Sequence, residues 1–533
     1  MPTITETPFV NVVQAAKQLG FSIDLSGNAD CSTALNTVIG NSPTGATIYF
    51  PGGTYLIRNT ILLRNSQRYQ GANNALQSST IRQGNSCNLA ALFASAEFFA
   101  GGSTVYPGNP ITIALLNFDG NAQNNPTQIA VNDTTGPGGT YGVNNGIVIF
   151  AYRTVIEQCY VGNMNGSGIL IASMSVNRGG IPAGHSAVEN RIERCTVEGF
   201  GNYGIFVSGA TGGCTDGYIR DCVVNGAGFN GEDCIAVNEG AGWFIGGNHV
   251  YGGQQSGITV QRAYATSLID NEVDGYAQGS QSGQYLSGIG VVCSTGPNNR
   301  GATIIGNRIY GVETNNGAYY RHLCLQSNEQ QFATQVLAAN NLIIGSGTQV
   351  PRAYGIWIES LGQPANVPFY YTVFGNRVFN VANEYGLNGA ALNAAPIHCL
   401  GPVQAEGTIQ ATGTVQAGGT VICGNHLLAT GSKTGAAVAG GNQTVATASN
   451  ANDIRGQVAF GSSGSTGLQV SVTFAIPYQF APIVTIAPVN DATAGLFGWY
   501  ITNVSATGFF IGTHEVLPAQ ATAIYMLAYH VIG

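Results

Sequence analysis

IIGNRIYG (304–311) holds the spacing that decides the fold. It repeats along the middle of the chain as Ile-x-x-(Asn/Cys)-x-(Val/Ile): IEQCYVG (156–162), IERCTVEG (192–199), IRDCVVNG (219–226), IGGNHVYG (245–252) and LIDNEVDG (268–275). Three further copies are ANNLIIG (339–345), VFGNRVF (373–379) and ICGNHLL (422–428). The pivots are Cys159, Cys195, Cys222, Asn248, Asn271, Asn307, Asn341, Asn376 and Asn425. Between copies sits a second element, Gly-Ile-x-(Val/Ile): GIVI (146), GILI (168), GIFV (204), CIAV (234), GITV (257), GIGV (288) and GIWI (355), with a looser HLCL (322). Two interleaved repeats with steps of 23 to 49 residues mark a β-rich solenoid, a parallel β-helix.

Alternate residues of a strand share a face, so Asn307 and Ile309 point the same way. Ile304 precedes Asn307 by an odd number of residues, so an inward Ile304 requires a bend between them. The same amide or thiol inside every bend stacks into an internal ladder. Three strands per coil follow: one ending at the Ile, one after the ladder residue, and one at Gly-Ile-x-Val. The ladder cysteines read as small buried filler rather than metal or thiol chemistry.

Composition agrees with this reading. The chain of 533 residues holds 76 Gly and only 8% charged residues, with a net charge of −8. Without a Lys/Arg cluster it is not expected to bind nucleic acid or an anionic membrane. There is no apolar run of spanning length, no basic leader before an apolar stretch, and no disulfide-like spacing among the 11 Cys, so synthesis in a reducing cytoplasm is expected. Walker, dinucleotide and His-Glu-x-x-His patterns are missing, and the seven His are scattered, so no cofactor and no metal site is expected.

Four segments are expected. Residues 1–45 form a helical N-terminal cap, with short helical patterns at VVQAAKQLG (12–20) and CSTALNTVIG (31–40). Residues 46–428 form the parallel β-helix. Residues 429–455, rich in Ala, Gly, Thr and Ser, form a linker or thin extended segment. Residues 456–533 carry about five alternating strands, a C-terminal antiparallel β-sandwich.

The stretch DLSGNADCSTALNTVIGNSPTGATIYFPGGTYLI, NFDGN (117–121) and the closing Pro-x-Val-x-Ile, Thr-Gly-Phe and aromatic-x-Ile-Gly segments carry a resemblance. They resemble bacteriophage tailspikes and polysaccharide depolymerases with a pectate-lyase-like right-handed parallel β-helix. The resemblance implies a homotrimer in the virion tail that grips and cleaves bacterial surface polysaccharide (capsule, O-antigen or exopolysaccharide), the C-terminal domain locking the trimer or binding a receptor. Such chains often open on a virion-anchoring domain, and none is visible before the cap. The expectations are therefore a virion adaptor protein, a shortened chain or a non-virion protein. Hydrolysis is favoured over β-elimination, because carboxylates outnumber Arg/Tyr candidates in the central rows. A non-catalytic receptor-binding spike and a free pectinase-like enzyme are the competing readings.

Stacked coils turn equivalent outward positions into rows. GEDCIAV (231–237) resembles the strand that carries the catalytic acids in polygalacturonase-type hydrolases, which implies Glu232 and Asp233 as acid/base groups. Gln255 or Ser256 stands where those enzymes place His, a departure that leaves the linkage open. Asp216 and Glu239 are expected to face each other one coil apart, or else to be solvated turn carboxylates. A second cluster joins His249 and Tyr251, Glu272 and Asp274, and Arg308 and Tyr310 on three consecutive coils, with Glu272 or Asp274 as acid/base. Its alternative is a polar ladder with an Arg308–Glu272 salt bridge, or a trimer contact. Trp357 with Glu359, and Phe206, are expected as exposed sugar-contacting groups at the ends of a long groove. Glu193, Arg194, Arg220 and Asp221 read as a structural charge stack.

Overall fold

In a computed structural model the repeat closes into three parallel sheets of twelve strands, one strand per sheet in each coil. The structure describes residues 9–388, apart from 74–77, 102–104, 134–139, 177–186, 211–212, 294–300, 328–333, 348–349 and 361–368. It also describes strand segments 404–405, 435–438 and 445–447, and residues 455–532 apart from 463, 465, 475–479 and 497. Sheet A runs from Phe9–Asn11 to Phe369–Phe374, sheet B from Ser26–Asp30 to Arg377–Phe379, and sheet C from Ile61–Leu63 to Gln404–Ala405. The stack is a right-handed parallel β-helix.

Register explains the repeat. In sheet C, Ile205, Ile235, Ile258, Ile289, Leu323 and Ile356 lie opposite one another in successive coils, and all are buried at 0% exposure. Burying one such side chain is worth roughly 1.5–3 kcal/mol, so each coil is held mainly by the row it extends.

The bend between sheets A and B takes one left-handed residue just before the ladder position. It is Gln158 (φ 51°), Arg194 (52°), Asp221 (55°), Asp270 (54°) and Asn340 (56°) in some coils, and Gly247, Gly306 and Gly375 in others. In the later coils Asx and Gly alternate for a steric reason. A methyl group on Gly306 would sit 2.2 Å from Asp270 Oδ1, and one on Gly375 2.3 Å from Asn340 Oδ1.

Inside the bend the ladder amides of Asn271, Asn307 and Asn341 are fully used. Asn271 Nδ2 donates to Asn307 Oδ1 (2.9 Å) in the next coil and to the Ile245 carbonyl (2.9 Å) in the one before. Its own Oδ1 accepts from Asn248 Nδ2 (2.9 Å) and the Asn248 amide (3.2 Å). Asn307 repeats the pattern with Asn341, and Asn341 with Asn376. Two donors and two acceptor sites exhaust what an Asn side chain offers. The cysteine rungs reach equivalent carbonyls more weakly: Cys159 to Ile113 (3.7 Å), Cys195 to Ile156 (3.6 Å) and Cys222 to Ile192 (3.7 Å). The rung at Asn425 lies outside the described residues.

At the N-terminus, α1 (Val12–Gln18) is capped by Asn11, whose side chain accepts from the amides of Val13 and Gln14. Helix α2 (Ser32–Asn41) buries Ala34, Leu35, Val38 and Ile39 against the same core. This opening segment also supplies the first strands of sheets A and B.

The chain divides into two compact units, Met1–Val415 and Gln416–Gly533. The second unit holds two four-stranded antiparallel sheets. The expectation of a linker at 429–455 is corrected in part. Gly435–Val438 and Val445–Thr447 pair with Gly467–Thr473 and Arg455–Ser462 as edge strands. Their small-residue composition conceals them, because an edge strand needs backbone pairing on one side only and little side-chain packing.

Candidate functional site

One outward row of sheet C changes size along its length. In register it reads Val148, Leu170, Phe206, Ala236, Thr259, Gly290, Cys324 and Trp357. The first residues are roofed by Phe98, Tyr141 and Met174 in a second apolar cluster. At the far end Trp357 is covered by Tyr354 (4.6 Å) and by the Arg321 guanidinium (4.4 Å). Between these walls the side chains shrink to Ala, Thr and Gly, and Thr259 and Gly290 are half-buried, so this low stretch of sheet C is the candidate groove. From Ala236 to Cys324 it spans three coil steps, about 14 Å.

Carboxylates line this groove. Asp233 Oδ2 accepts from Thr259 Oγ1 (2.6 Å), and its Oδ1 accepts from the Ser256 amide (2.9 Å). Burial pushes the Asp233 carboxyl above its ordinary range against these two donors, and the neighbouring Glu232 adds to the shift. Glu232 is half-buried, and its charge adds to burial in pushing up the nearby Tyr203 phenol. At the other ends of these strands lies a cleft of about 340 Å³ lined by Asp133, Gly209, Asn238, Gln261, Arg262, Val292 and Cys293. Glu239 sits behind that lining, paired with Arg262 (3.4 Å). Burial raises its carboxyl although Arg262 pulls the other way.

Residues 9–281, just over half of the chain, match the family model described as rhamnogalacturonase A/epimerase, pectate lyase-like. The chain belongs to this family. No curated protein matches it in sequence. Among solved structures, it is similar to the A-module of the Azotobacter vinelandii mannuronan C-5 epimerase AlgE4, at 17% identity over 73% of this chain and 100% of that one, with a TM-score of 0.42. It is also similar to the tailspike of Escherichia coli bacteriophage HK620, at 12% identity over 98% and 94% of the two chains, with a TM-score of 0.48. The tailspike gp49 of Pseudomonas phage LKA1 is 13% identical over 98% and 99%, with a TM-score of 0.38.

In this pectate-lyase-like chain the expected residues fall into three groups. Glu232 and Asp233 lie just before the sheet C strand Ile235–Val237, and Glu239 lies past its other end, buried beside Arg262. His249 and Tyr251, Glu272 and Asp274, and Arg308 and Tyr310 lie in register on sheet B, as two parallel rows on an open face. The rings of His249 and Tyr251 are 4.9 Å apart, and no ion pair links Glu272 to Arg308 among the described residues. The third group is corrected. Phe206 is fully buried, stacked under Tyr203 at 4.6 Å. Trp357 points outward yet is 1% exposed. Glu359 is buried with it, accepting from Arg321 (2.9 Å) and Gln326 (2.5 Å). Tyr203 and Tyr354, each three residues earlier, and Arg321 of the neighbouring coil fold over these positions, which a strand's alternation does not reveal. Asp216 does not face Glu239. It is an exposed residue at the turn into sheet A, opposite Gly242, and its amide donates to Ala241. The charge stack forms in part: salt bridges run from Glu157 through Arg194 and Glu193 to Arg220, while Asp221 takes the left-handed bend position and joins no salt bridge among the described residues.

Sequence reasoning missed Asp133, Arg262, Tyr203, Tyr285, Tyr319 and Arg321. Tyr285 is 59% exposed and stacks on Tyr319 at 4.7 Å, with Arg321 over the Tyr285 ring and Arg352 over that of Tyr319. Both tyrosines stand four residues before the buried positions Ile289 and Leu323, a spacing visible once the repeats are aligned. Asp133 comes from a long non-repeating loop and leaves no such signal. Among the described residues, no group of three or more His, Cys, Asp or Glu is placed to hold a metal ion.

Proposed function

We propose that the chain is a bacteriophage tailspike depolymerase that binds bacterial surface polysaccharide in the sheet C groove and hydrolyses its glycosidic bonds. The observation that carries this reading is the Asp233–Glu232 pair at the groove, in which one carboxyl is raised by burial beside a second carboxylate. Carboxyls in unequal surroundings suit an acid and its partner in glycoside hydrolysis. Asp233 acts as general acid toward the glycosidic oxygen, Glu232 is its partner, and Tyr285 with Tyr319 offers an aromatic platform to a more distant sugar. The membership in a rhamnogalacturonase/epimerase family supports a carbohydrate-acting enzyme.

The phage assignment, the homotrimer, the virion tail location and an adaptor rest on the resemblance of the opening and closing segments. Phe480 (75% exposed), Ile483 (67%) and Val516 (67%) in the C-terminal unit fit a surface that meets another molecule. A β-eliminating lyase and a non-catalytic spike are the alternatives, and the second gains from the engagement of both Asp233 oxygens by Thr259 and Ser256.

Purified protein incubated with host capsule or lipopolysaccharide separates these readings. New reducing ends without enone absorbance are expected. Enone absorbance means a lyase, and tight binding of intact polymer means a spike. Asp233→Asn is expected to lower turnover by about 10²-fold or more. Full activity in both the Asp233→Asn and Glu232→Gln variants would move the chemistry to Glu272 and Asp274.

A further inference from the structure

In the low stretch of Ala236, Thr259 and Gly290, the one hydroxyl belongs to Thr259. Its neighbours in register offer only a methyl group and a hydrogen, and the residue is half-buried, so little stands between that hydroxyl and the groove. Oγ1 donates to Asp233 Oδ2 at 2.6 Å, the length of a hydroxyl bound to a charged oxygen. The other oxygen, Oδ1, accepts from the Ser256 amide at 2.9 Å. A backbone N–H has no proton to pass on. The path that hydrogen bonds trace from Asp233 to the groove therefore runs through Thr259.

A hydroxyl carries one hydrogen and accepts through its lone pairs. While Asp233 is ionised, the Thr259 hydrogen is spent on Oδ2. Once Asp233 is protonated the bond reverses: the carboxyl donates to Oγ1, and the Thr259 hydrogen is free to turn toward the groove. The groove is thus offered a proton only when Asp233 holds one. The titratable groups around Asp233 are Glu232 beside it, the Cys234 thiol after it and the Tyr203 phenol of the preceding coil. Burial pushes the thiol and the phenol up, so both stay neutral. Glu232 is then the charge that Asp233 meets, and its repulsion favours the protonated carboxyl.

We propose that Thr259 relays the proton of Asp233 to the glycosidic oxygen. This rests on the reading of the groove as the site of hydrolysis. As the C–O bond breaks, its electron pair stays on the departing oxygen, which takes the Thr259 hydroxyl proton while Oγ1 takes the proton of Asp233. Thr259 ends unchanged and Asp233 ends ionised. Water adds its hydroxide to the sugar and gives its proton to Glu232, which releases it to solvent, and Asp233 takes one back. The relay gives a catalytic use to the two engaged oxygens of Asp233, which otherwise favour a non-catalytic spike.

Single-turnover cleavage of purified host capsule or lipopolysaccharide in mixtures of H2O and D2O tests it on the unaltered chain. Two protons move together, so the rate is expected to fall along a curve as the D2O fraction rises. A straight line means one moving proton and overturns the relay. Thr259→Val is expected to lower kcat by about 10²-fold at every pH, and Thr259→Ser to recover most of the loss. Direct transfer from Asp233 predicts otherwise: removing a donor to the ionised carboxyl raises its pKa, so the pH limb moves up and the rate below it stays full. That outcome overturns the relay and keeps the depolymerase. Carbon-13 NMR of the aspartate carboxyls, with Asp233 assigned through Asp233→Asn, reads the coupling without substrate. Thr259→Val is expected to raise the Asp233 pKa and Thr259→Ser to leave it in place, and equal values in all three proteins overturn the relay. Host polymer left intact by the unaltered chain removes the depolymerase and the relay with it.

Discussion

Asn307 shows how much a single side chain carries in this molecule. It donates to Asn341 and to the Leu268 carbonyl, and it accepts from both the amide and the side chain of Asn271. Asn307→Ala strands donors of Asn271 with no water to replace the lost acceptor, and each buried orphan costs about 1–3 kcal/mol. A loss of ~3 kcal/mol is expected in denaturant unfolding. Asn307→Cys should recover part of it, because the thiol rungs reach equivalent carbonyls. At the neighbouring bend, Gly306→Ala meets Asp270 Oδ1 and strains a φ of 71°. The double variant with Asp270→Gly is expected to regain the steric share and leave about 1 kcal/mol for the backbone. Equal costs in both backgrounds would show that the Asx–Gly alternation is not a packing device. Asp233 makes a pH prediction of its own. Its carboxyl is raised, so an activity that needs the protonated form persists above the ordinary aspartate value of about 3.9 and is lost as pH rises through the folded pKa. A pH–rate profile of the wild type shows that limb, and Asp233→Asn should flatten it.

At the scale of one strand, Tyr319–Ser327 joins the interior to the groove. Arg321 points outward to Glu359, while His322 is fully buried with its Nε2 against Glu313 and its Nδ1 2.6 Å from the Tyr276 hydroxyl. Burial alone would raise the Glu313 carboxyl, yet His322 and the two Ser346 donors outweigh it and bring it to about 2. A depressed folded pKa adds stability that is complete above the unfolded value of 4.5 and is lost as pH falls from there through about 2. The contribution is on the order of 3 kcal/mol, so acid unfolding of Glu313→Gln should be less steep over that window than that of the wild type. An identical slope would mean that the triad is already broken in acid. The strands themselves were legible in sequence because inward rows demand Ile, Val or Leu at fixed spacing. Exposure was not, since Phe206 lies under Tyr203, and Trp357 under Tyr354 and the neighbouring coil's Arg321, where alternation alone points them to solvent. A bulge at Arg262 was equally hidden: it is a register slip between Val260 and Ala263 against the strand Tyr285–Cys293, and no residue type near it announces one.

On the scale of the whole chain, stability in the first unit comes from neighbouring coils, whereas the second unit packs its own core around Val458, Phe460, Leu527 and Tyr529. Damage to the ladder is therefore expected to speed amide exchange in coils around residue 307 and to leave the C-terminal sheets unchanged. Equal acceleration in both units would show that they unfold as one. With 8% charged residues, the chain relies on shape and hydrogen bonds more than on ion pairs.

The ladder has a direction. From Asn248 to Asn341 each amide hands a hydrogen bond forward to the next coil and takes one from the coil behind, so every rung is interchangeable with its neighbour. At its start Asn248 serves the Cys222 amide, and the weaker thiol rungs take over from there. A coil can then be added or removed in the Asn stretch without redesigning the interior, provided its own bend supplies one Asn. The Asn rungs run through the same coils that carry the row from Ala236 to Trp357, so each coil gained or lost there lengthens or shortens that row by one position.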